Sequence, residues 1–325
     1  MKQDMQKHDY RLYSKRNVKL PLFHQPWWLD ALASANGSSW DVALSRSNDG
    51  NIIAAWPYFR GLKLGMNISL SPVLGSYLGI WIDYPEENWK EETRQSYQNN
   101  IVKDLLPQLP EFYLMKQNFT PTFDNWKELY WAGYDQTTYY TYVLDNIKDH
   151  ESVFAGFKSN LRNSIKKLGY TFSIGETNDL AVFYEINKKS WSVQDGKIPY
   201  TLDYLQKLDD ALINNGNRYI RLIKDANNNI VAGAYIVRDN HTAYNLMLGT
   251  DPNHRHSRAA EILLWDVIQE MSQYVDRFDF EGSMIEGVSQ FFKAFGGKQQ
   301  PYSVISKSKN KWIGIVARLF AGKNF

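Results

Sequence analysis

The chain has 325 residues, 43% of them hydrophobic and 15% aromatic, with a formal net charge of +2 and no cysteine. That length and composition fit one large or two ordinary folded domains and exclude a disordered chain. The near balance of charge excludes a nucleic-acid coat protein, and the lack of cysteine excludes disulfides and thiolate chemistry.

The opening stretch, MKQDMQKHDYRLYSKRN, is polar and lacks the apolar core of a signal peptide. No run of about 18 apolar residues is present to span a membrane, so the expected location is cytoplasmic. The first half then reads as a short helix at 26–33, strands at 40–47, 51–59 and 78–84, a long polar-faced helix at 87–106, and strands at 112–119 and 138–145.

The second half has a sharper pattern. Phe154, Phe157, Leu161, Ile165 and Leu168 recur at helical spacing over 152–169. A short strand at 170–174 and helices at 179–193 and 202–216 follow, the last stopped by Gly216. Strands at 218–224, 229–237 and 242–250 are joined by turn sequences, which predicts antiparallel hairpins. A helix at 257–273, a strand at 277–281, a helix beginning near Ser283 and a strand at 301–307 complete the order. The first half resembles a weaker version of this plan, so two related α/β domains are expected: a degenerate one at 1–147 and a second at 148–325 with a basic tail.

The stretch FDFEGSMIEGVSQFFKAFGG, residues 278–297, carries the main functional signal. Strand alternation puts Phe278 and Phe280 on one face and Asp279 and Glu281 on the other. Gly282 permits a sharp exit, Ser283 and Glu286 have capping-box spacing, and Ile285, Val288, Phe292 and Phe295 form an apolar stripe. The phenylalanines are thus core, and Ser283 is a cap rather than a nucleophile. The carboxylates sit at a strand C-terminus, where ligand crevices form in open α/β sheets. They either serve such a crevice or pair with cations such as Arg277 and Arg255.

Two further basic features stand out. Lys158, Arg162 and Lys166 are spaced by four along the 152–169 helix, as a solvated face or a phosphate-binding row. After Glu286 no acidic residue appears, while Lys293, Lys298, Lys307, Lys309, Lys311, Arg318 and Lys323 follow. That tail either docks on the body or lies on an anionic membrane.

FDFEGS followed by FF.AFGG and PY, together with FHQPWWLDAL, LRNSIKKLGY, IVAGAYIV and ILLWDVI in this order, resembles the FemAB-like and BioF2-like acyltransferases of the GNAT superfamily. The resemblance covers nearly the whole chain. It implies two tandem GNAT-like domains with mixed, largely antiparallel sheets and a cleft between them. It also implies an N-acyltransferase that moves an acyl or aminoacyl group from acyl-CoA or aminoacyl-tRNA to an amine, with no tightly bound cofactor. Several such enzymes act on peptidoglycan precursors, which would place the protein at the inner face of the membrane with a small-molecule or lipid-linked acceptor.

Within this resemblance Asp279 or Glu281 is the base or amine-orienting group, and Arg162, Lys166, Arg255 and Arg258 bind phosphate. Lys293 and Tyr302 are further candidates for supporting an oxyanion. One departure is visible. GNAT enzymes that bind CoA place a glycine-rich loop before the helix after the central hairpin, and here that segment reads RHSRAA, with Arg258 where the first glycine belongs. A tRNA-dependent aminoacyl transferase and a non-catalytic ligand-binding copy remain as alternatives.

Overall fold

The computed structural model of the chain describes residues 2–309 except 64, 86–87, 193–195 and 283. The chain divides into two compact units, one running up to Tyr139 and taken up again from Pro301, the other spanning Tyr140–Gln300. The expected cut lies at 147/148, and these compact units meet at 139/140 and again at 300/301. The first boundary falls inside a strand, and the last strand belongs to the first unit because it pairs there.

The first unit contains helices α1 (Lys2–Ser14), α2 (Pro26–Asn36), α3 (Glu91–Leu105) and α4 (Lys127–Trp131). Its strands are β1 (Ser39–Arg46), β2 (Ile52–Lys63), β3 (Met66–Leu70), β4 (Trp81–Ile82), β5 (Leu114–Asn118), and parts of β6 (Asp135–Asp145) and β12 (Lys298–Ser308). The order is β1-β2-β3-β5-β12, with β4 paired to β2. All these pairings are antiparallel except β3 with β5.

Burial of aromatic rings drives this half. Trp56 and Phe119 meet at 5.6 Å and share a core with Met115, Ile305 and the inward residues Ile101, Val102 and Leu105 of α3. The 101/102/105 spacing places those three on one helical stripe, which is why a helix that is polar elsewhere still docks. Helix α2 opens with Pro26 and stops at Gly37, whose left-handed conformation (φ 61°) closes the end.

The second unit comprises the end of β6 with β7 (Ser173–Glu176), β8 (Arg218–Lys224), β9 (Ile230–Arg238), β10 (Thr242–Thr250) and β11 (Arg277–Asp279). Its helices are α5 (His150–Gly156), α6 (Ser159–Leu168), α7 (Leu180–Ser192), α8 (Leu202–Asn214), α9 (Ala259–Met271) and α10 (Glu286–Lys293). The sheet order is β6-β11-β10-β9-β8-β7. Neighbours are antiparallel apart from β10 and β11, which run parallel and are linked through α9. Helix α9 buries Ile262, Leu263, Leu264, Val267, Ile268 and Met271, an apolar surface broad enough to fill the core over the sheet.

Two expected helices differ. The single helix at 152–169 is two, because Phe157 and Lys158 are extended (ψ 151° and 141°) and the Lys158 N–H donates to the Ala294 carbonyl at 2.9 Å. Helix α10 begins at Glu286, capped by an extended Ile285 that makes no side-chain cap. Ile285 is 45% exposed and so leaves the expected stripe, while Phe292 and Phe295 are buried. Ser283, the expected cap, lies outside the described residues, as do Lys311, Arg318 and Lys323 of the basic tail.

Candidate active site

The site grows from the parallel pair. β10 and β11 are in register only at Thr242–Arg277, Ala243–Phe278 and Tyr244–Asp279. Beyond Tyr244, β10 continues to Thr250 along β9, and no strand among the described residues pairs with its other edge. The two strands therefore part where Asp279 ends β11. A bulge at Asn245/Met247 in β10 marks the same level. Bulges re-aim side chains and end pairing, and often lie beside active sites. Parting strands at their carboxyl ends make a crevice.

Asp279 is the charged group at that fork and is 3% exposed. Its Oδ1 accepts from the Thr141 hydroxyl and, at 2.8 Å, from the Glu281 N–H. A buried carboxylate is tolerable only with such donors. Thr141 precedes Val143, the β6 partner of Asp279, by two residues, so strand alternation aims both side chains to one face. Tyr244, opposite Asp279 on β10, has its phenol pushed well above the usual range by burial, with the Asp239 and Asp279 carboxylates adding to the effect. It stays an O–H donor and gives that proton to Asp239 at 3.1 Å.

Glu281 follows in a left-handed conformation (φ 57°), which is uncommon for a residue other than glycine. Such strain concentrates at functional sites. Gly282 makes it feasible: a Cβ there would lie 2.2 Å from the Tyr140 carbonyl oxygen. The chain passes so close to β6 that only glycine fits, and the half-buried Glu281 is turned out of the strand. Phe278 and Phe280 pack together at 5.1 Å in the core, so the two faces divide as the alternation predicts.

The loop before α9 holds its shape despite the missing glycine. Arg258 caps α9 in a left-handed conformation (φ 66°), a backbone state ordinarily given to glycine. Its guanidinium donates to Glu261 at 2.7 Å, in the first turn of its own helix. Arg255 and His256 are exposed on the preceding turn.

The other expected cations fare differently. Arg162 bends back to donate to the Ala155 and Phe157 carbonyls, closing the open end of α5. Lys158 is a non-helical cap, so the expected row of three reduces to Arg162 and the exposed Lys166, whose ammonium lies 5.7 Å from the Phe154 ring. Arg277 pairs with Asp145 at 3.2 Å and with Gln300. Lys293 is exposed in the last turn of α10. Tyr302 belongs to the first unit, where its ring meets Tyr77 at 5.3 Å and Tyr139 at 6.0 Å.

Sequence reasoning did not single out Thr141, whose hydroxyl donates to Asp279; a hydroxyl among the tyrosines of β6, two residues before the partner of Asp279, was the available signal.

Residues 155–293 match the family model described as an acetyltransferase (GNAT) domain. No curated protein matches the chain in sequence. Among solved structures, FemX is similar with a TM-score of 0.64 at 12% identity, covering 91% of this chain and 95% of that one. The C-terminal domain of a putative lysylphosphatidylglycerol synthetase from Agrobacterium fabrum gives 0.51 at 12% identity, covering 96% and 93%. A tandem GNAT protein from the clavulanic acid biosynthesis pathway gives 0.50 at 11% identity, covering 86% and 93%. At such identities the likeness is one of fold, and that fold is a mixed α/β pair of GNAT-like domains.

Proposed function

We propose that this chain, an acyltransferase whose residues 155–293 match the GNAT acetyltransferase domain model, moves an acyl group from an acyl-CoA donor to an amine at the fork between β10 and β11. The supporting observation is that fork itself, with Asp279 buried and hydrogen-bonded at its base and Glu281 turned out beside it. No observation favours aminoacyl-tRNA as the donor.

In the proposed reaction the amine nitrogen attacks the thioester carbonyl, a C–N bond forms, and the C–S bond breaks. The proton lost by nitrogen passes to a carboxylate, Asp279 or Glu281, and then to the departing thiolate. Positioning and a base are all that this step demands of the protein. The exposed Arg255 is the candidate for the donor's phosphates, because Arg258 is already held by Glu261. Arg162, Lys166, Lys293 and Tyr302 have no assigned part in this step.

For the acceptor, the lysylphosphatidylglycerol synthetase neighbour makes, by its name, an aminoacylated lipid. That name supports a lipid as the class of acceptor, so lipid-linked acceptors are the first to try. The test is mass spectrometry of lipid and cell-wall extracts from cells with and without the protein, where one acylated species is expected to vanish. Alongside it, Asp279→Asn keeps an oxygen for Thr141 and the Glu281 N–H, so it should fold normally yet lose activity by roughly 10²-fold or more. Full activity in both Asp279→Asn and Glu281→Gln would refute the assignment of the base. A second reading, ligand binding without turnover, is favoured by one observation: Glu261 already places a carboxylate in the first turn of α9. Unchanged extracts together with saturable coenzyme A binding would decide for it.

A further inference from the structure

The rim of the sheet in the first unit collects large apolar side chains that its core does not use. Leu62 pairs with Asn67, whose carbonyl accepts the Tyr113 N–H at 2.9 Å, and the Tyr113 carbonyl accepts the Lys309 N–H at 2.9 Å. One row thus crosses four neighbouring strand ends. Two residues earlier, the Lys307 ammonium donates to the Ala132 carbonyl at 2.8 Å and joins this row to the end of α4. That short helix buries Glu128 and Leu129 and turns its two largest rings outward. Trp131 is 66% exposed, Tyr130 62% and Leu62 76%, with Tyr113 partly exposed beside them. Single exposed apolar residues need no account, but a contiguous set marks an interaction surface.

Cations are interleaved with these groups. The Lys309 ammonium lies 5.3 Å from the Tyr113 ring, the Lys307 ammonium 4.8 Å from the Tyr134 ring, and Lys63 and Lys127 are exposed next to Leu62 and at the start of α4. Against them stand Glu111, held by Lys309 at 2.9 Å, and the exposed Asp135. Beyond Lys309 the sequence adds Lys311, Arg318 and Lys323 and no acidic residue, so the balance of charge here is basic.

We propose that this rim docks on an anionic lipid surface, with Trp131, Tyr130, Tyr113 and Leu62 at headgroup depth and the lysines on the lipid phosphates. Tyrosine and tryptophan suit that depth because each has an apolar body and a polar edge. Each lysine or arginine near an anionic leaflet adds its own attraction. A second copy of this chain fits less well, since it would set one basic rim against another. The proposal stands independently of the acyl-CoA reading and adds to it a place of work, the surface on which a lipid acceptor resides.

The experiment is sedimentation of the full chain with vesicles of phosphatidylcholine alone, and with vesicles of phosphatidylcholine and phosphatidylglycerol in equal parts. Native protein should bind the mixed vesicles and not the neutral ones, more weakly as salt is raised. The double variant Tyr130→Ser, Trp131→Ser should bind at least about tenfold more weakly at an unchanged melting temperature. Trp131→Ser alone, which leaves the Tyr130 ring on Trp126 at 5.4 Å, should show part of that loss.

No binding to the mixed vesicles overturns the proposal, and so does equal binding to both kinds. Equal binding by native and double-variant protein overturns it too, because the basic terminal sequence then suffices without the rim. A native dimer that the double variant makes monomeric overturns it in favour of self-association. None of these results bears on acyl transfer, which the cell extracts test separately.

Discussion

His24 shows how a single side chain can set the acid limit of a fold. It is fully buried in the first unit, with Nε2 3.2 Å from the Gly79 carbonyl, and burial pulls its pKa down to about 4. The unfolded chain binds the proton near pH 6.5, so neutral His24 is favourable above that value. Stability is then lost as pH falls from 6.5 toward 4 and levels off below, a contribution on the order of 3 kcal/mol. Denaturant melts of native and His24→Gln protein across that window should show a steeper acid loss in the native chain. Parallel curves would refute the point. At this scale strand alternation alone separated Asp279 from Phe278 and Phe280, which pack in the core, while Glu281 lies past the end of β11. The sequence did not disclose that Arg258 keeps a glycine-like backbone, since φ is set by the loop and not by residue type.

Among the elements, α5 and α6 illustrate what periodicity can and cannot tell. The apolar spacing correctly placed Phe157 and Leu161 inward, since both are buried, whereas Leu168 at the end of the expected stripe is exposed. The break between the helices comes from contact with the Ala294 carbonyl, far away in sequence, and from Arg162, which satisfies two carbonyls at the end of α5. Arg162→Met should therefore cost about 1–2 kcal/mol of stability with little effect on activity. A large loss of donor binding at unchanged stability would return Arg162 to the phosphate-binding role. The strand at β10 depends on contact in a different way. A Cβ at Gly249 would lie 2.7 Å from the backbone of Asn187 on α7, so Gly249→Ala should destabilise by about 1–3 kcal/mol or more. Melting of this variant alongside Gly287→Ala, where nothing lies within 4 Å, checks that the effect is steric.

For the molecule as a whole, hairpins and helix order were legible because they are local, and the GNAT-like fold implied by the family resemblance agrees with the domain match over residues 155–293. The domain boundary was less so. Strand β12 follows the second unit in sequence but pairs with β5 through Val304–Asn118 to Ser308–Leu114, and pairing across nearly 200 residues leaves no mark in a local pattern. The second unit, by contrast, closes its own core from one continuous segment. Residues 140–300 expressed alone should thus give a cooperative melt, whereas residues 1–139 alone should not. A folded 1–139 fragment would refute this.

Because β5 waits for β12, the first-made half of this protein is the last to be completed. During synthesis β5 lacks its partner until the whole inserted unit has emerged, and a ribosome that stalls anywhere between codons 140 and 300 leaves that edge open to other chains. Slow growth of the polypeptide should therefore burden its handling by chaperones more than a sequence change of equal thermodynamic cost.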